Sequence, residues 1–466
     1  MTGRRVATGS IRPRSSRGRS TKGRPKPQTR RAVGRRREAT SSANEGAARP
    51  DRSELDALTS TLTWRRPTAE APGAPPRVPV RKLHIVMVGW EYPPNHTGGL
   101  GVHCYELCRE LGRMGHRITF LTPFHGPFTE TAGVTFRWPG RRSEGEPPIP
   151  FAYQVTSGPA EPGWDTSMNS YNDWVGSLET LADVDVVHVH DWFGTRGGVG
   201  LARRLRRPLV MTIHSTEYDR TLGFPGAEIR EHEAFGLTRA ARVIAVSRHL
   251  KQQVVDRYGV PAGKVRVVYN AVRPTPRLER LRDAGVVVLY LGRLAAMKGV
   301  DTFLRAAARV APLAPDATFV VAGEGPEMPR LLTLSAHLGI SDRVLFLGKV
   351  TEEERSLLLA SASVFVLPSV VEPFGIAALE AMAAGVPTIV SKTSGVAEIT
   401  ENTFAVDFWD IDEFASRIGE LLQYPELRRL MGDASRWEAL RAGWPERALE
   451  TLGVYVELLD AAGGRP

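Results

Sequence analysis

The sequence predicts two doubly wound α/β domains facing each other across a cleft, preceded by a basic disordered tail. Three observations carry that expectation. Short apolar runs alternate with helix-period stretches from residue 83 to about 270, and a second series of the same kind covers 286–390. A polar segment with two prolines, 274–283, parts the two series. Such alternation marks buried parallel strands joined by crossover helices. The expected divisions are a tail over 1–80, a first domain over 81–275, a second over 276–444, and a terminal helical segment over 445–466.

The tail comes first. Residues 1–80 hold 19 Lys/Arg against 6 Asp/Glu, so although the whole chain carries +10, the remainder carries a net −3. Arg, Ser, Gly and Pro dominate the segment, and such a stretch cannot bury enough surface to offset its chain entropy. Binding of polyanions there would be non-specific. No aromatic residue precedes Trp64, so nothing can stack on bases. A solvated extension is expected ahead of an organellar transit peptide.

The remaining composition is that of a folded protein. The 466 residues are 42% hydrophobic and 24% charged, which excludes wholesale disorder. No stretch approaches eighteen apolar residues, and the N-terminus lacks the apolar centre of a secretory signal. The two cysteines, Cys104 and Cys108, fall four apart on a predicted helix and read as small core residues. A reducing, cytoplasmic setting is the expectation.

In the first domain the apolar runs are 83–89, 118–121, 185–189, 209–213, 243–246 and 265–268, with helical stretches at 99–114 and 248–258. Segment 125–177 is rich in Pro and Gly and is expected to form loops or a small hairpin over one face. The second domain repeats the pattern at 286–291, 318–322, 344–347, 364–367 and 388–390, with helices at 302–310 and 352–360.

Open α/β sheets bind ligands beyond the carboxyl ends of their strands. After the first strand, Gly98, Gly99 and Gly101 at a helix mouth let a backbone approach a ligand closely. After the first strand of the second domain, Arg293 and Lys298 stand five apart, able to converge on one multivalent anion or to lie solvated at the surface. The run from Glu372 through Pro373, Phe374, Gly375 and Ile376 opens a helix that is apolar on every face except Glu380. A buried carboxylate needs a partner. Ribose hydroxyls of a nucleotide sugar are expected on Glu380, its phosphates at the amides of 374–376, and its sugar near Glu372; a structural arginine partner for Glu380 is the less expected alternative. His190-Asp191 and His214 close two neighbouring strands, where they can hydrogen-bond a substrate. Their spacing lacks the regular set of a zinc site, so no metal is expected.

These motifs resemble the retaining glycosyltransferases of family 4, of the GT-B fold with two Rossmann-like domains, and in particular the glycogen and starch synthase-like members. Glu372-Pro373-Phe374-Gly375…Glu380 matches the family's paired-glutamate signature, and Arg293…Lys298 its donor-phosphate cations. Gly323-Glu324-Gly325-Pro326 matches a glycine-proline loop of the donor domain, Gly98–Gly101 the N-terminal glycine loop, and His190-Asp191-Trp192 the strand end with the catalytic histidine. His96 stands where glycogen synthases commonly carry lysine.

The resemblance implies a hexose, glucose foremost, moved from a UDP-, ADP- or GDP-sugar to a hydroxyl acceptor without cofactor or metal. His190, Glu372, Arg293 and Lys298 would be catalytic. Gly98, Gly99, Gly101, Gly323, Phe374, Gly375, Ile376 and Glu380 would hold the donor, and His96, Asp191 and His214 the acceptor or sugar. The last helix would cross back onto the first domain. Alternatives are mannosyl or other sugar transfer to a lipid or small molecule, a non-catalytic sugar-nucleotide sensor, and a sugar-nucleotide epimerase.

Overall fold

A computed structural model describes residues 81–95, 98–140, 164–273, 285–441 and 443–461. The tail, His96 and the polar segment 274–283 lie outside the described residues.

In the first domain, β1 (His84–Val88), α1 (Gly99–Arg113), β2 (Arg117–Leu121), β3 (Val134–Arg137), α2 (Trp164–Ser177), β4 (Val186–His190), α3 (Thr195–Leu205), β5 (Leu209–Ile213), α4 (Glu217–Arg220), α5 (Ala227–Arg239), β6 (Arg242–Ala245), α6 (Arg248–Tyr258) and β7 (Val265–Val267) follow in order. The seven strands form one sheet, β3-β2-β1-β4-β5-β6-β7, with every pair parallel. β1, β4 and β5 are buried along their whole length, as runs covered on both faces must be.

The second domain has β8 (Val286–Leu291), α7 (Val300–Val310), β9 (Ala317–Ala322), α8 (Met328–His337), β10 (Val344–Gly348), α9 (Glu352–Ser361), β11 (Val364–Leu367), α10 (Ile376–Ala383), β12 (Thr388–Ser391), β13 (Phe404–Val406), α11 (Ile411–Gln423) and α12 (Pro425–Leu440). Its sheet is β10-β9-β8-β11-β12-β13, again all parallel. The expected apolar runs are the strands of these sheets. The edge strands β3 and β13 were not expected: both are only partly buried and lack a continuous apolar run.

Residues 125–133 are the expected loop, but the rest of the described part of 125–177 forms neither loop nor hairpin alone. β3 adds to the sheet edge parallel to β2, and α2 packs on α3. Parallel pairing needs a crossover rather than a hairpin turn, and the connection crosses beside α1, where Ala132 lies against Gly112.

α13 (Trp444–Ala461) returns to the first sheet. Tyr455 hydroxyl meets His188 Nδ1 at 2.6 Å, while Glu457 pairs with Arg242 at 2.6 Å and Arg266 at 2.8 Å. No helix among the described residues is long and apolar enough to cross a membrane.

One carboxylate joins the two domains. Arg248 and His249 open α6, and both of their amides donate to Glu398 at 2.8 Å; Glu398 ends the 3₁₀ turn Gly395–Glu398 of the second domain. Tyr269 hydroxyl donates to the same carboxylate at 3.0 Å, and the Leu250 amide is met by Ser247 Oγ at 3.1 Å. A helix start has orphan N–H groups and a positive dipole end, so the glutamate acts as a cap supplied by the other domain. Glu398→Ala is expected to cost about 1 kcal/mol, in the range of lost caps, read as a lower thermal midpoint. An unchanged midpoint would show that this bridge carries no stability.

Candidate active site

The loops after β8 and β9 are stitched together. Leu294 N–H donates to Glu324 O at 2.8 Å, and Gly323 N–H to Gly348 O at 2.8 Å. Gly323 has φ +145°, and a Cβ there would lie 1.8 Å from Gly292 O. Only glycine lets the two loops approach this closely. The Gly323 N–H is spent inside the protein, and its close approach to Gly292 seats the loop carrying Arg293.

That loop leads into the 3₁₀ turn Ala296–Lys298, which ends at Gly299 in the left-handed region (φ +62°). The turn aims Lys298 across the loop, where its Nζ lies 2.7 Å from Glu372 Oε2. The half-buried Arg293 precedes it, its carbonyl accepting from Tyr290 hydroxyl at 2.8 Å. Glu372 is held by Ser369 Oγ at 3.2 Å, and its carbonyl accepts from Gly395 N–H at 2.9 Å. Gly375, at φ +103°, turns the chain into α10. Phe374 is buried, as is Ile376, the first residue of the helix. The first amides of α10 have no intrahelical acceptor, so the Lys298–Glu372 ion pair, the loop of Arg293 and this positive helix end share one corner.

Glu380 departs from the expectation. Its carboxylate is ion-paired with Arg355 of α9, and Arg355 also pairs with Glu352 at 3.0 Å. Both partners of the Glu380–Arg355 pair are about a fifth exposed. The alternative judged less expected from sequence is thus the arrangement present: burial on an apolar helix demanded a counter-charge, and an arginine supplies it without ligand.

Across the cleft, the glycine loop lies directly over α10. A Cβ on Gly99 would stand 3.2 Å from Ile376 Cδ1, and Gly98 is the extended N-cap of α1. The Gly101 amide is not free: it donates to the fully buried Glu91 at 3.2 Å.

The strand ends of β4 and β5 bring four histidines together. His188 is satisfied on both sides, by Tyr455 and by Thr212 Oγ1 at 2.7 Å. His190 Nδ1 stands 3.3 Å from His214 Nε2, and its own Nε2 is buried without a partner. His103, from α1, packs edge-on against His214 with ring centres 4.5 Å apart; its Nδ1 meets Asn270 Oδ1 at 2.6 Å and its Nε2 is orphaned. Burial lowers the pKa of every one of these imidazoles, to about 4 for His103 and about 3 for His188, so the cluster is neutral near pH 7.

Asp191 sits at φ +55°, and its carboxylate accepts from His214 N–H at 2.7 Å. Burial pushes its pKa up to about 7, against the pull of that amide and of Arg220. An acid with a raised folded-state pKa holds its proton more tightly when folded, so stability falls as pH rises from about 4 to about 7. Asp191→Asn keeps the acceptor and cannot ionise. It should raise the thermal midpoint at pH 8 and leave it near wild type at pH 5; equal shifts at both values would refute the ionisation.

Two family models divide the chain. "Glycosyltransferase Family 4" matches residues 97–275, and "Glycosyl transferases group 1" matches 276–437. An uncharacterised glycosyltransferase of Methanocaldococcus jannaschii is 31% identical over 404 residues, 82% of this chain and 100% of the relative. The chain is a family-4 glycosyltransferase.

The transferase is likewise 31% identical to glycogen synthase of Mycobacterium tuberculosis over 336 residues, 69% of this chain and 80% of that one. Its fold matches that of sucrose-phosphate synthase from Thermosynechococcus elongatus with a TM-score of 0.66 at 21% identity, covering 82% and 100% of the two chains. The two Rossmann-like domains are of the GT-B type.

In this transferase Lys298 meets Glu372, Gly99 meets Ile376, and His190-Asp191 meets His214, all as neighbours. Sequence reasoning missed His103, Asn270 and Arg355. The first two lie 167 residues apart in the chain, and no local period connects them. A weak indication existed for His103, which stands one helical turn after Gly99 and therefore on its face.

Proposed function

We propose that the transferase moves a hexose, glucose foremost, from a nucleoside diphosphate sugar to an acceptor hydroxyl with retention of configuration. The observation that supports this most is Lys298 held at 2.7 Å from Glu372 beside the mouth of α10 and the loop of Arg293. A departing diphosphate gathers negative charge there, and cations with helix amides stabilise developing charge best when fixed in place beforehand. The similarity to a glycogen synthase favours glucose.

In this reading the diphosphate lies against Arg293, Lys298 and the start of α10, with Gly98 and Gly99 closing over it. Glu372 orients the sugar, and neutral His190 hydrogen-bonds it from the opposite wall, with Asp191 and His214 beside it. Ribose hydroxyls take over Glu380 from Arg355. The acceptor oxygen attacks the anomeric carbon on the face that the phosphate leaves, its proton passes to the departing phosphate oxygen, and the C–O bond to phosphate breaks. The chemistry needs neither a protein nucleophile nor a metal. A cytoplasmic setting fits the two free, buried cysteines.

The test is incubation with UDP-, ADP- and GDP-glucose, after a thermal-shift screen that finds the donor by its stabilisation. The anomeric coupling of the product, read by NMR, is expected to match that of the donor. An inverted product, or isomerised donor without transfer, would refute the reading.

A further inference from the structure

The histidine cluster has a property that sugar transfer does not call for. We infer that His103, His190 and His214 form a binding site for a transition-metal ion that prefers imidazole, Zn²⁺ foremost.

His103 Nε2 and His190 Nε2 are ring nitrogens buried without any hydrogen-bond partner. Such an orphan is costly, and His103 Nε2, kept beside two further imidazoles, invites a group to satisfy it, whereas His190 would use the Nδ1 that faces His214. One ligand nitrogen from each of the three rings can be chosen so that all lie within 4.8 Å of one another. His190 Nδ1 and His214 Nε2 are already 3.3 Å apart. Zinc–nitrogen bonds of about 2.0–2.1 Å at tetrahedral angles set ligand nitrogens about 3.3–3.4 Å apart, so this pair already spans one edge of the tetrahedron.

The surroundings match what such sites use. The Nδ1–H of His103 donates to Asn270 Oδ1 at 2.6 Å, which fixes the tautomer with Nε2 as the lone pair. Asp191 anchors His214 through its backbone N–H at 2.7 Å. Trp444 lies edge-on to His103 at 5.5 Å, and His188 is kept out of the set by Tyr455 and Thr212. His214 is the least buried of the three, so a fourth ligand enters from its side. Three imidazoles and one open position suit Zn²⁺, Co²⁺, Ni²⁺ or Cu²⁺, not Mg²⁺ or Ca²⁺. The three residues come from α1 and from the ends of β4 and β5, which is why no ligand spacing shows in the sequence. Occupancy would withdraw His190 from the sugar and inhibit transfer; that consequence rests on the proposed function, whereas the binding does not.

The test uses the full chain freed of metal by chelator. Titration with Co²⁺ should produce the strong visible bands of a four- or five-coordinate ion at one equivalent. Zn²⁺ should displace it, with X-ray absorption giving three imidazole nitrogens at about 2.0–2.1 Å. Asn270→Ala should weaken Zn²⁺ about 10- to 100-fold in competition with a chromophoric chelator. His103→Ala should weaken it further, and His337→Ala, on the outer helix α8, should change nothing. Circular dichroism checks that each variant folds; if His103→Ala does not, the wild-type spectrum and scattering distances decide. Weak six-coordinate bands, no saturation at one equivalent, or unchanged affinity in a folded His103→Ala protein would overturn the site.

Discussion

Lys298→Ala is expected to lower kcat/KM about 10²- to 10³-fold, the loss seen when one fixed group is removed from developing charge. The fall should lie in kcat as much as in kcat/KM, because the contact strengthens as the phosphate departs. A structural explanation competes, since the substitution leaves Glu372 about nine-tenths buried and without its cation. The double variant Lys298→Ala/Glu372→Ala tests only the structural part, because Glu372 itself orients the sugar. Removing both partners relieves the unpaired charge, so the double variant should regain thermal stability while remaining inactive. A folded Lys298→Ala protein that keeps wild-type kcat and kcat/KM would mean that Lys298 serves only to neutralise Glu372, and the proposed phosphate corner would fail.

The second large effect concerns Glu380. If ribose hydroxyls displace Arg355 from it, Glu380→Ala loses hydrogen bonds to a charged acceptor, worth about 1.5–3 kcal/mol, and the donor KM should rise about 10- to 150-fold. kcat should change little, since the ribose is held alike in ground and transition states. Arg355→Ala should instead leave the donor KM equal or lower, because the competing cation is gone. The opposite pattern, Arg355→Ala harming donor binding as much as Glu380→Ala, would make the pair a structural brace between α9 and α10. Initial rates at varied donor concentration distinguish the outcomes.

Much of the site was readable in the chain because it is built from local motifs. The run from Glu372 to Glu380 includes the helix that carries it, and Arg293 and Lys298 flank a single turn. That Lys298 meets Glu372 follows from both lying at the carboxyl ends of strands in one parallel sheet. Glu380 shows where such reasoning stops. That it needed a partner followed from the apolar helix around it; that the partner is Arg355, 25 residues earlier on another helix, did not. Gly101 and Gly323 were likewise recognised as special, but where their N–H groups point was decided by Glu91 and Gly348.

The sequence by itself determined the two-domain parallel architecture, the placing of the cations and glutamates at one sheet's carboxyl edge, and the family. Strand and helix periods are written in neighbouring residues, and burial follows from them. Only the tertiary structure decided the pairing of Arg355 with Glu380, the cap that Glu398 lends to α6, and the meeting of His103 with His190 and His214. Those contacts join residues distant in the chain, and their energy depends on side-chain distance and burial, quantities that no local pattern encodes.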